Sequence, residues 1–220
     1  MTEPISARLD EATSDHRLLA HPFYKAWAAG TLSHDDLAFY STQYWRQVEA
    51  FPGYLEALSE RLPEHAREIV ESNLRDERGD DHPQLWLDFA SAFGIDEEAV
   101  KGSSPEPETQ ACVASFSDAA SSQSPAFALG MLYAYESQTP EVATTKVAGL
   151  REHYGIDGAP LTYFELHGEL DVEHSRELAE ALGDVISDGS DLEDAVAGAR
   201  AGAQAVYGLL DGVARVRDIG

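Results

Sequence analysis

The 220-residue chain has one cysteine (Cys112), two methionines and three lysines (Lys25, Lys101 and Lys146). A single cysteine excludes a disulfide framework and a thiolate-bound metal cluster. No apolar run approaches the roughly 18 residues needed to cross a bilayer. The opening MTEPISARLDEA carries neither a basic block nor an apolar one of the secretory type. Basic residues are scarce altogether: 15 Lys and Arg face 40 Asp and Glu, for a formal charge of −25. Such a surface repels nucleic acid and anionic membrane, so neither is an expected partner. Alternating segments that would mark strands are absent, as are internal repeats and low-complexity tracts.

Aromatic residues, by contrast, are plentiful. Trp27, Trp45 and Trp86 stand with nine Tyr and eight Phe, a content that a disordered acidic chain lacks. The chain therefore folds, with its carboxylates on the surface. This acidity reads as adaptation to a salty cytoplasm, where salt screens the mutual repulsion. A cytoplasmic location is expected.

Helical punctuation recurs throughout. Ser33 and Asp36 form a variant capping box ahead of a long helix with Leu37, Tyr40, Tyr44, Val48 and Leu55 on one stripe. Phe51-Pro52-Gly53 predicts a kink within it. Pro63 suits the first turn of the next helix, and Gly79 to Pro83 should interrupt that one. Gly102 to Pro105 reads as a connection between helices. Ser124-Pro125 and Thr139-Pro140 each read as a cap followed by an N1 proline. Two long helices, about 161–187 and 190–216, close the chain. The expected fold is a single all-α domain over 1–220, a bundle of about seven or eight helices.

Residues 167–174 read HGELDVEH. At 100° per residue, His167, Asp171 and His174 fall within about 60° of one another on a helix. Phe164, Leu178 and Leu182 continue the same stripe, whereas Glu169, Glu173, Arg176 and Glu180 occupy the opposite face. A carboxylate and two imidazoles turned inward are costly unless a cation balances them. The competing reading is two histidines in a chain rich in acids. Glu136 ends an apolar stripe with Leu129 and Leu132, facing either the core or solvent. Glu77 and His82 lie about 140° apart on a regular helix and converge only if the helix breaks at Gly79. Asp76, Asp80 and Asp81 offer equally good oxygens. Glu77, His82, Glu136, His167, Asp171 and His174 make a mixed oxygen and nitrogen set that suits two iron or manganese ions better than a closed zinc site.

A resemblance spans about 16–212. His21-Pro22-Phe23-Tyr24 with Trp27, Ala50-Phe51-Pro52 with Tyr54-Leu55, Asp76-Glu77 with His82 and Leu85-Trp86, Tyr135-Glu136-Ser137-Gln138, the His167/Asp171/His174 spacing and Tyr207 to Asp211 resemble the family of the chlamydial protein associating with death domains. That family groups with the TenA and PqqC proteins of heme-oxygenase-like fold. The resemblance implies an oxygen-activating oxidase with two iron ions (or an Fe/Mn pair), whose six ligands are the residues just named. The loop between Glu77 and His82 is shorter than in the family. The resemblance further implies p-aminobenzoate synthesis for folate, the ring coming from one of the protein's own tyrosines and the nitrogen from a lysine. The matching positions are Tyr24, Tyr40, Tyr135 and Lys146. O2 and an external reductant are co-substrates, the electron donor is unassigned, and a homodimer is compatible with the reading.

Three other functions compete. A TenA-like thiamin hydrolase needs a nucleophilic cysteine, for which Cys112 is the candidate. A PqqC-like or amine- or fatty-acid-oxidising enzyme would act on an external small molecule. An interaction module would need a partner surface that the acidic exterior does not suggest.

Overall fold

The computed structural model describes residues 4–79 and 82–220. Among these are eleven α-helices: α1 (Ile5–Ala12), α2 (Pro22–Ala28), α3 (His34–Ser59), α4 (Glu64–Gly79), α5 (His82–Ser91), α6 (Glu97–Gly102), α7 (Pro107–Ser122), α8 (Pro125–Glu136), α9 (Thr139–Tyr154), α10 (Thr162–Val185) and α11 (Gly189–Arg217). The expected all-α bundle is what forms. The count exceeds seven or eight because α1, α2 and α6 are only six to eight residues long, too short to show a period. No described helix is long and apolar enough to cross a membrane.

Local chemistry sets the helix ends. The Ser33 hydroxyl accepts from Asp36 N at 3.2 Å and the Asp36 carboxylate accepts from Ser33 N at 2.8 Å, so the capping box opens α3 as expected. The helix runs through Pro52 to Ser59. Ser124 caps α8 with Pro125 at N1. Two expectations shift by one residue: Pro63 precedes α4 instead of occupying its first turn, and the cap of α9 is Gln138, with Thr139 already helical. The Thr139 hydroxyl bonds instead to the Tyr135 carbonyl at 3.0 Å, one turn back.

A single apolar core runs through the bundle. Helix α8 packs most extensively against α11, and α10 lies against α9, α8 and α4. The α8–α11 approach requires missing side chains: a Cβ at Gly130 would sit 2.1 Å from the Ala195 carbonyl, and one at Gly198 2.0 Å from that of Phe127. This tight pairing brings the C-terminal end of α8, with Glu136, into the centre of the bundle.

Candidate metal centre

Four helices converge on one buried cluster. α4 contributes Glu77, α5 begins with His82, α8 ends on Glu136, and α10 turns His167, Asp171 and His174 inward on one stripe. All six are buried, while Glu169, Glu173, Arg176 and Glu180 on the far side of α10 are exposed. Glu136, at 1% exposure, faces the core and not solvent.

The first half of the cluster is tightly assembled. His82 Nδ1 lies 2.7 Å from Glu77 Oε2, and His167 Nε2 lies 3.8 Å from Glu77 Oε1. Glu77, His82 and His167 each place one donor atom within 4.8 Å of the others, the spacing that a shared ion needs. His167 Nδ1 donates to the Tyr163 carbonyl at 2.7 Å, which fixes the tautomer and leaves Nε2 with its lone pair free for a ligand bond. The Tyr163 ring stacks on His167 with centroids 4.1 Å apart. Glu77 is thus the buried acid of this stretch, set beside His82 and His167. Asp76 is half exposed at the rim, its Oδ2 3.3 Å from His174 Nε2, and Asp80 and Asp81 lie outside the described residues.

The second half is looser. Asp171 Oδ1 and His174 Nδ1 are 3.6 Å apart, and Glu136 Oε1 accepts from Asn73 Nδ2 at 2.7 Å. Four candidate ligands keep a buried atom with no hydrogen-bond partner: His82 Nε2, Glu136 Oε2, Asp171 Oδ2 and His174 Nδ1. Buried polar atoms are seldom left this way, and unpaired lone pairs converging from several helices are the environment that a cation stabilises. The donor set thus fits a metal centre with mixed oxygen and nitrogen ligands.

Proton affinities follow the same geometry. Burial alone would raise the Glu77 pKa, but hydrogen bonds and charge from His167 and His82 outweigh it and hold the carboxyl at about 2. Burial would lower His167, yet Asp171 and Glu77 lift it to about 9. Glu136 is raised, first by burial and then by the Asp171 charge.

A second chamber adjoins the cluster and shares Tyr135, Tyr163 and His167 as its wall. It contains Lys146, the one buried lysine, as Lys25 and Lys101 are exposed. Lys146 Nζ donates to Tyr40 Oη at 2.8 Å, Tyr24 Oη lies 3.4 Å from Tyr40 Oη, and Tyr44 Oη donates to Tyr135 Oη at 3.1 Å. The ammonium sits 4.7–5.9 Å from the ring centroids of Phe164, Tyr44, Tyr40, Tyr24, Trp86 and Trp27. Desolvation pulls Lys146 down to about 7 and pushes the buried tyrosines up. The four residues named through the resemblance, Tyr24, Tyr40, Tyr135 and Lys146, are thus gathered in one place.

Three participants were missed: Tyr163, Asn73 and Tyr44. Each lies one helical turn from an identified residue (His167, Glu77 and Tyr40), so extending each stripe by four positions would have found them. Cys112 makes no nucleophile here. It is buried on α7, burial raises its thiol to about 12, and its nearest polar neighbour is Gln47 Oε1 at 3.8 Å.

Comparison with known proteins agrees with this geometry. Residues 38–207 match the family model described as iron-containing redox enzyme. A 4-aminobenzoate synthase from Chlamydia muridarum is 35% identical over 208 residues, 93% of this chain and 87% of that protein. Among solved structures, a TenA homologue from Pseudomonas syringae pv. tomato superposes with a TM-score of 0.84 at 18% identity, covering 96% of this chain and 91% of that one. A CADD-like protein of unknown function from Nostoc punctiforme gives 0.78 at 18% identity, with 98% and 97% covered.

Proposed function

The chain belongs to the iron-containing redox enzyme family, with the heme-oxygenase-like fold, and on that premise we propose that it makes 4-aminobenzoate from one of its own tyrosine rings. The observation that carries this reading is the hydrogen bond from buried Lys146 to Tyr40, in a chamber walled off from the ligand cluster only by Tyr135, Tyr163 and His167.

Glu77, His82, Glu136, His167, Asp171 and His174 would hold a pair of iron ions, or iron with manganese. When bound, the pair supplies O2 activation, with electrons from an external reductant. The chain's own residues do the rest. Glu77 sits between His82 and His167, 2.7 Å from one and 3.8 Å from the other. The Tyr163 carbonyl keeps the His167 imidazole in one tautomer. Six aromatic rings exclude water from Lys146 and lower it to about 7, so the uncharged, nucleophilic amine comes to dominate as pH rises above that value.

A tyrosine ring with its Cβ has the seven carbons of 4-aminobenzoate. The bond to break is therefore Cα–Cβ, with Cβ oxidised to the carboxylate and the phenolic oxygen replaced by nitrogen. Tyr44, Tyr40 and Tyr24 place their ring centroids 5.1, 5.3 and 5.4 Å from Lys146 Nζ, and of these Tyr24 and Tyr40 are the two that the family resemblance singles out.

The test is mass spectrometry of the protein after Fe(II), O2 and a reductant. Release of 4-aminobenzoate with a matching mass loss at Tyr24 or Tyr40, and a change at Lys146, is the expected result. Product released from a chain whose Tyr24, Tyr40, Tyr44 and Lys146 all stay intact would instead identify an external small-molecule substrate.

A further inference from the structure

Three cavities follow one another from the surface to the ligand cluster, and neighbours share walls. The outermost is a recess bordered by Arg17, Leu19, Gln138 and Glu141, of which Arg17 and Glu141 are exposed. Leu18 and Val142, both buried, line this recess and also the Lys146 chamber, so a two-residue septum separates solvent from the amine. The chamber in turn meets the cavity at the carboxylates across Tyr135 and Tyr163.

Val142 is carried by α9, and the Leu18 half of the septum is bonded to one side chain. Leu18 belongs to a three-residue 3-10 turn, Leu18–Ala20, and its N–H donates to Gln138 Oε1 at 2.9 Å. Gln138 Nε2 is anchored to the Ala134 carbonyl of α8 at 3.2 Å. A three-residue turn opens more easily than a long helix, and Gln138 is the side chain that hydrogen-bonds this one to α8. Arg17 stands at the outer end beside Glu141 and the Lys146 amine at the inner end, and the walls between them are Leu18, Val142, Tyr44 and Phe164. Apolar walls with a guanidinium at the mouth and a hydrogen-bonding amine within suit a small, flat, aromatic carboxylate.

We propose that Leu18 and Val142 form the gate, and Gln138 its latch, of a passage by which a small aromatic carboxylate moves between the Lys146 chamber and solvent, with Arg17 its contact at the mouth. The identity of the traveller rests on the 4-aminobenzoate reading, whereas the passage does not.

Reductive methylation of the full chain with formaldehyde and cyanoborohydride, followed by peptide mass spectrometry, reads access to Lys146, with exposed Lys25 and Lys101 as internal controls. Val142→Ala and Gln138→Ala should each speed Lys146 modification about fivefold or more, and Val142→Phe should slow it as much, with the controls unchanged. General destabilisation would speed all three variants. A Lys146 rate that moves in one direction for all three, or not at all, overturns the gate. Added 4-aminobenzoate should protect Lys146 in the parent and less than half as well in Arg17→Glu; equal protection in both overturns the role of Arg17. The assay involves no iron, oxygen or turnover, so a failed gate leaves the synthase reading standing. A working gate with tyrosines that survive turnover sinks only the latter.

Discussion

The ligand cluster and the lysine–tyrosine chamber share Tyr135, Tyr163 and His167 as a common wall, yet they treat charge in opposite ways. In the Glu77 half of the cluster a carboxylate and imidazoles face one another, so pairing overrides burial and holds the Glu77 carboxyl at about 2 and lifts His167 to about 9, whereas Glu136, buried beside Asp171, is raised. The chamber's lining holds no carboxylate, so burial acts unopposed. Its lysine is pushed towards the neutral amine and its phenols away from phenolate. Equal depth therefore yields a charge-holding pairing of Glu77 with histidines on one side of the wall and a charge-excluding chamber on the other. The neighbours, and not the burial, decide which.

The contrast is broken most completely by removing His167. His167→Ala should lower iron affinity at least 100-fold, as measured by metal analysis after anaerobic loading, and abolish 4-aminobenzoate formation. The pH dependence of Lys146 modification should persist. Loss of product with undiminished iron would place His167 outside the ligand set.

Lys146→Met tests the other side. Product should vanish while iron content stays at the parent level. Stability should change as well, with a definite sign. Because the folded-state pKa is lowered to about 7 from 10.5, the unfolded chain carries a proton between those values that the folded chain does not. The parent should therefore gain stability as pH rises through that window, by up to about 4–5 kcal/mol at 1.36 kcal/mol per pKa unit. The methionine variant should be flat there and more stable than the parent below pH 7. Urea unfolding at a series of pH values measures both curves, and parallel slopes would show that the lysine is solvated.

Asn73→Leu is a smaller perturbation, since it removes only the donor to Glu136 Oε1. Iron affinity should fall about tenfold, with Lys146 reactivity unaltered. Tyr163→Phe should do least to the metal, because the group that orients His167 is a backbone carbonyl that every residue possesses. A twofold change or less in iron affinity is expected, and a large loss would mean that the phenol itself supports the cluster.

Much of the site was legible along the chain because it is written in helical spacing. His167, Asp171 and His174 recur at four and three residues beside Phe164 and Leu178, and that local period settles which face they share. Their burial follows once the same stripe is apolar at both ends. Glu136 and the Glu77/His82 pair were harder to read. Whether a helix-end glutamate turns in or out depends on α11 lying close enough to seat α8 deeply, a contact set by Gly130 and Gly198, 68 residues apart in sequence. Choosing Glu77 over Asp76 likewise depends on how α4 is rotated towards α10. Tyr163 escaped notice because its contribution to His167 comes from the main chain, which leaves no mark in side-chain pattern.

The sequence by itself determined that the chain is helical, that its surface is acidic, and that one stripe of α10 carries two imidazoles and a carboxylate among apolar neighbours, because helix period and composition are local properties. Only the tertiary structure decided that Lys146 is the buried lysine of the three, that it touches Tyr40, and that a single wall separates it from the ligands. Those facts depend on distances between helices far apart in the chain, and so does the dielectric around the amine, which no residue carries alone.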